Sequence, residues 1–115
     1  DMLRGIKPQE TRANLEAMLK ELQGRKIKVV MTGMLAAPNL GPDYARAFNP
    51  LFPELAEQYG AKLYPFFLEG VVTDKSLMLN DNIHPNAKGV TRVVEGLSPL
   101  VEATLMEERS AVLEK

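Results

Sequence analysis

The sequence predicts an α/β layer fold built on a parallel sheet. Two observations carry that expectation: apolar periodicity switches between helical and extended along the chain, and the extended runs are apolar on both faces. The resulting order of helix, strand, helix, strand, helix is the rhythm of parallel α/β layers. Strands buried on both faces belong to sheets covered by helices.

Residues 8–23 read as a helix, because Leu15, Met18, Leu19 and Leu22 recur at the spacing of one buried stripe. Pro8 suits its first turn and Gly24 its C-terminal cap. Residues 27–34 follow as a strand, with Ile27, Val29, Val30 and Met31 bounded by Gly24 and Gly33. Pro38, Asn39, Gly41 and Pro42 punctuate residues 36–42 as a loop. Residues 43–59 form a helix in two pieces, broken near Asn49 and Pro50 and open to a second break at Pro53. Its core face is Phe48, Phe52, Leu55 and Ala56, and Gly60 caps it. Residues 62–66 make a second short strand.

Residues 70–82 read as a loop with a mobile apolar insert at 77–79. A last helix then runs from Pro85 to about Glu108, burying Val90, Val93, Val94 and Leu97. Pro99 is expected to kink it, or to restart it with Ser98 as the new N-cap. The tail from Arg109 is expected to fray. Two strands cannot make a sheet that helices cover on both sides, so the chain reads as the second half of a larger sheet.

At 115 residues the length suits one small domain, and 45% apolar with 25% charged is ordinary globular composition. A net charge of −1 with interspersed signs argues against a nucleic-acid partner or a membrane-surface patch. No apolar run approaches the roughly 18 residues of a membrane span, so stable membrane insertion is not expected. The absence of cysteine excludes disulfides, a thiol nucleophile and thiolate metal ligands. One histidine among dispersed carboxylates supplies no metal cluster, and no cofactor motif is present.

That histidine, His84, stands three residues after Asp81 in a turn-rich stretch ahead of the last helix. In an esterase triad the imidazole takes a proton from a serine through one nitrogen. A carboxylate on the other nitrogen fixes the tautomer and stabilises the imidazolium. A tight loop with this offset brings the two side chains together without help from distant residues. Pro85 then stiffens the exit and begins the helix. The same Asp-x-x-His spacing also suits a turn whose aspartate caps the next helix, and the pair alone does not separate these readings.

A wider stretch does. Asp81-Asn82-Ile83-His84-Pro85-Asn86 resembles the last conserved block, Asp-x-x-His-Pro, of SGNH (GDSL) hydrolases. Residues 37–44, then Phe48 and residues 51–56, resemble a loop and helix of the bacterial branch that holds acyl thioesterases, lysophospholipases and arylesterases. Residues 64–71 resemble its last strand and the loop beyond. The resemblance covers nearly the whole chain in order. It implies part of a flavodoxin-like three-layer α/β/α fold with a parallel sheet, residues 1–115 being the C-terminal portion of a single domain whose N-terminal half is missing. It further implies hydrolysis of carboxylic esters or thioesters, with His84 as general base and acid and Asp81 as its orienter. A periplasmic or secreted location is favoured by the resemblance alone.

Two departures matter. Asn82 stands where this branch often has glycine, and asparagine tolerates a positive φ well enough for the turn to survive. The nucleophile's Gly-Asp-Ser block is absent: Ser76, Ser98 and Ser110 are the only serines, none in a glycine-rich turn after a strand. The oxyanion-hole glycine is absent too, and residues 1–5 look like the tail of the block that carries the oxyanion-hole asparagine. Without serine there is no acyl-enzyme, and each lost oxyanion donor lowers the rate by about two to three orders of magnitude. The chain alone is therefore expected to be inactive.

Pro38, Asn39 and Leu40 follow the first strand, where ligands of open α/β sheets bind, and are expected to touch substrate. An ordinary strand-to-helix connection is the alternative. Phe67 and Leu68, with residues 77–79, read either as an acyl groove or as cover for the core. Thr32-Gly33 has no base nearby and reads as a strand terminator. The expected partners are a small acyl ester or thioester and either a missing N-terminal segment or another copy of the chain, which would complete the sheet. A different class of reading makes the chain a non-catalytic module that self-associates through its open sheet edge.

Overall fold

The computed structural model describes residues 2–114, so Asp1, the first residue of the stretch read as a motif tail, lies outside the described residues. The chain divides into two compact units, one ending at Pro65 and the other starting at Phe66.

In the first unit, a 3₁₀ turn at Met2–Arg4 leads to helix α1 (Pro8–Gly24), strand β1 (Val30–Thr32), a 3₁₀ turn (Pro38–Leu40), helices α2 (Gly41–Phe48) and α3 (Leu51–Tyr59), and strand β2 (Lys62–Tyr64). Pro8 opens α1, where its missing N–H costs nothing. The helix ends at Gly24, but its left-handed closing residue lies two positions beyond the expected glycine cap. Lys26, not Gly24, takes the left-handed conformation at φ 58°. The Lys26 N–H donates to the Gln23 carbonyl and the Ile27 N–H to Leu22, the paired bonds of a Schellman closure. Helix α3 ends the same way, with Gly60 at φ 66° and the Ala61 N–H on the Ala56 carbonyl. Each helix thus delivers the chain to a strand through one left-handed step. The break expected near Asn49 and Pro50 separates α2 from α3. Pro53 breaks nothing, because it sits in the first turn of α3, where no intrahelical N–H bond is required.

The strands pair in parallel, Val30 with Lys62, Met31 with Leu63 and Thr32 with Tyr64. They are shorter than the apolar runs, and only Met31 is buried, because each strand has a single neighbour among the described residues. Gly33 leaves β1 against the β2 backbone: a Cβ there would lie 2.2 Å from the Pro65 carbonyl oxygen. Leu19 of α1, Met31 of β1 and Phe48, Leu51, Phe52, Leu55 and Ala56 of α2 and α3 form the core. Tyr44 stacks on Phe48 and Phe48 meets Phe52 edge-on, each pair at 5.6 Å. Met18, assigned to the buried stripe, is instead exposed.

The second unit has a 3₁₀ turn (Lys75–Leu77) and one long helix, α4 (Ala87–Leu113). The segment read as a mobile insert is anchored: Met78 is buried with Val71 and Val93, and Phe67 and Leu77 pack around them. Helix α4 starts at Ala87, two residues after the expected Pro85, and runs unbroken through Pro99 and past Arg109. Pro99 deprives the helix of one N–H on its exposed side, and Glu95, whose carbonyl would have accepted it, is exposed as well. Of the face assigned to the core, Val93 is buried and Leu97 half-buried, while Val90 and Val94 are exposed. Periodicity marks an apolar face without naming what covers it. Among the described residues no helix is long and apolar enough to cross a membrane.

These contacts set expected stabilities. Leu55→Ala, which empties a fully buried site, should cost about 2–5 kcal/mol. Gly33→Ala should cost about 1–3 kcal/mol by forcing apart the backbones of β1 and β2. Val94→Ala, on an exposed position, should stay within about 0.5 kcal/mol. Urea denaturation of each variant followed by circular dichroism checks the ranking.

Candidate active site

The site grows from a closed loop between the 3₁₀ turn at Lys75–Leu77 and the start of α4. Asp74 caps that turn, accepting from the Ser76 N–H at 3.0 Å and the Ser76 hydroxyl at 2.6 Å. Those bonds favour its charged form and hold its carboxyl below the ordinary carboxylate range. Met78 and Pro85 then face each other across an antiparallel bridge, and the Leu79 N–H donates to the His84 carbonyl at 2.8 Å. At the tip the Asn82 N–H returns to the Leu79 carbonyl, with Asn82 at φ 56°. Asparagine tolerates this conformation better than most residues, so the turn survives without glycine as expected.

Asp81 divides its carboxylate between two tasks. Oδ1 accepts from the Ile83 and His84 backbone N–H groups at 2.9 and 3.0 Å, folding the main chain into a local turn. Oδ2 lies 2.6 Å from Nδ1 of His84. The His84 ring bond, followed by the two backbone bonds, lowers the Asp81 carboxyl to about 2. An ionised carboxylate only accepts, so Nδ1 carries the proton, and in the neutral ring Nε2 keeps its lone pair. His84 is 69% exposed, which leaves that nitrogen open to an incoming hydroxyl.

The structure also decides what caps α4. The Asn86 side chain accepts from the Gly89 N–H at 3.0 Å, so Asn86 is the N-cap and Pro85 precedes it. Asp81 takes no part in the capping and is free to address the imidazole. The reading of Asp-x-x-His as a helix cap therefore gives way. Asn86 and Gly89 were not singled out as functional in the sequence, although Asn just ahead of an apolar-periodic run is a helix-start signal.

Asp81 and His84 are brought together, and Phe67 lies in the same unit, half-buried against Val71, Met78 and Val93. Pro38, Asn39 and Leu40 belong to the first unit, in the 3₁₀ turn beyond the carboxyl end of β1. Pro38 and Asn39 are exposed and Leu40 is half-buried. Just before that turn the Ala36 N–H donates to Oδ1 of Asn49 at 2.7 Å, which ties the connection to the end of α2. Among the described residues, no three His, Cys, Asp or Glu side chains converge as metal ligands.

Comparison with known proteins fits this geometry. The model of the GDSL-like Lipase/Acylhydrolase family matches residues 1–92. Esterase TesA of Pseudomonas aeruginosa is 35% identical over 105 residues, covering 91% of this chain and 52% of that protein. Thioesterase 1/protease 1/lysophospholipase L1 of Escherichia coli K12 is 34% identical over 86 residues, 75% of this chain and 41% of that protein. Among solved structures, AlinE4, an SGNH-hydrolase family esterase, aligns with a TM-score of 0.69 at 48% identity, covering 91% of this chain and 56% of that one. The chain thus spans about half the length of the relatives it matches. Its helices and parallel strand pair are part of the SGNH-hydrolase fold. By sequence and by structure alike, this chain belongs to the GDSL-like lipase/acylhydrolase family.

Proposed function

We propose that this chain is the C-terminal portion of a single-domain serine esterase and carries the acid–base half of its active site. The carrying observation is the 2.6 Å bond between Asp81 Oδ2 and His84 Nδ1. His84 Nε2 takes the proton of a serine hydroxyl as that oxygen attacks an acyl carbonyl, then gives it to the departing alcohol or thiol. Asp81 holds the ring in the required tautomer and stabilises the imidazolium that forms. The serine comes from a Gly-Asp-Ser segment and the oxyanion glycine and asparagine from two further blocks, and this sequence contains neither that serine segment nor that glycine block. The substrate class is a small acyl ester or thioester, consistent with the names of the relatives. Pro38, Asn39 and Leu40 contribute to substrate contact, and Phe67 supports the acyl side.

A second reading is favoured by one observation. Val90, Val94, Val101 and Leu105 leave an apolar stripe exposed on α4. A catalytically inert, self-associating module would use such a face. The two readings separate on activity.

The chain by itself should not turn over a p-nitrophenyl ester. Joined to an N-terminal half that bears a Gly-Asp-Ser segment and the oxyanion donors, it should hydrolyse p-nitrophenyl butyrate. In that protein His84→Ala and Asp81→Asn should each lower kcat by about 10⁴-fold or more. Full activity in His84→Ala would remove His84 from the mechanism.

The Asp81–His84 pair also has an acid limit. The folded Asp81 value, about 2, lies below its ordinary 3.8. Its contribution to stability is therefore complete above pH 3.8 and is lost as pH falls through about 2. Titration of the Asp81 carboxyl carbon by NMR should show a midpoint near 2, and a midpoint at the ordinary value would mean the bond is not held in solution.

A further inference from the structure

The Asp81–His84 loop has almost no packing to hold it. Residues 79–84 are all exposed, and even Leu79 and Ile83 are 49% and 46% accessible. The Leu79–His84 and Asn82–Leu79 backbone bonds are internal to the loop, and so are the bonds of Asp81. They give the loop its shape but do not fix it to anything else.

The ties outward converge on Asn86. Its backbone N–H donates to the Leu77 carbonyl at 2.9 Å. Its side-chain Nδ2 donates to the Ser76 carbonyl at 2.8 Å and, more weakly, to Met78 at 3.4 Å. Its Oδ1 accepts from the Gly89 N–H of α4. The orientation of the amide is fixed by these partners, because one end meets an N–H and the other meets only carbonyls. Gly89 makes the arrangement possible. A Cβ there would lie 2.2 Å from the Leu77 oxygen and 2.8 Å from the Pro85 Cβ, so the first turn of α4 presses directly on both sides of the loop's base.

Capping alone does not call for asparagine. Serine or aspartate accepts from the helix N–H as well. What asparagine adds is an NH₂ group that reaches back to the preceding turn. We propose that Asn86 is a positioning residue, which clamps the base of the Asp81–His84 loop between the turn at Lys75–Leu77 and helix α4 so that the imidazole is held at its carboxylate. The proposal rests on reading His84 as the base, and its test addresses the ring itself. A displacement of about 1 Å at a reacting group costs about 10²-fold in rate, which gives such a clamp a purpose.

The chain has one histidine, so its imidazole nitrogen signals belong to His84 without ambiguity. Asn86→Ser retains a cap and lacks the NH₂, and Asn86→Asp does the same with a different side chain. Both should keep the helical circular dichroism of the native chain. In both, ¹⁵N NMR of the neutral ring should show a smaller share of the Nδ1–H tautomer. In Asn86→Ser, which introduces no charge, the Asp81 midpoint should also climb from about 2 toward 3.8. In the serine-bearing fusion, Asn86→Ser should lower kcat about 10- to 100-fold with KM unchanged. A native tautomer ratio and a native Asp81 midpoint in Asn86→Ser would overturn the proposal. So would loss of helix in both variants, which would make Asn86 a helix residue and not a loop clamp. A positive NMR result beside a fully active His84→Ala fusion would instead refute the base assignment and leave the clamp standing.

Discussion

One carboxylate does two jobs in this protein, and the candidate site follows from that division. Oδ1 of Asp81 gathers two consecutive backbone N–H groups, which bends the chain so that the His84 ring swings back over the same residue. Oδ2 then meets Nδ1 at 2.6 Å. Because the turn and the pair share one side chain, the shape that brings the ring to its carboxylate is formed within four residues, and the ties to the rest of the unit run through Asn86. Ionisation of Asp81 is favoured by the same three bonds, so the local fold also sets the charge that the imidazole faces.

This locality explains why the pairing of Asp81 with His84 was legible in the sequence while parts of the fold were not. The three-residue offset specifies a local turn, and local geometry is what a short motif encodes. Helix α1 and the break between α2 and α3 were legible for a similar reason: proline placement and a single apolar stripe act within a few residues. The exposure of Val90 and Val94 was not, because an apolar stripe on α4 states only that some surface is to be covered. The strands came out at three residues each because, among the described residues, neither has a second neighbour to pair with. Pro99 was read as a kink or a restart, yet the helix runs on through it, the lost hydrogen bond falling on an exposed side where a freed carbonyl is not shut away from solvent.

The glycines show two distinct physical uses. Gly60 takes a left-handed conformation that closes α3, a task Lys26 performs for α1 despite its side chain. Gly33 and Gly89 are required for proximity, since any Cβ would collide with a carbonyl oxygen 2.2 Å away. One keeps the β1 and β2 backbones together and the other seats α4 against the loop that holds the imidazole. Sequence patterns flagged Gly33 as a strand end and passed over Gly89, because close approach between distant segments leaves no local signature.

The residue after Asp81 bears on how long such a site lasts. An aspartate followed by glycine is readily attacked at its side-chain carbonyl by the next main-chain nitrogen, closing a succinimide that reopens largely as isoaspartate. Asn82 gives this protein the same backbone bend at φ 56° with a side chain that hinders that ring closure. The strongly ionised state of the Asp81 carboxyl slows it further, since the protonated acid is the better electrophile. Chemical ageing at this position would insert an extra methylene into the main chain and pull the carboxylate off the imidazole, so asparagine here favours durability as well as shape.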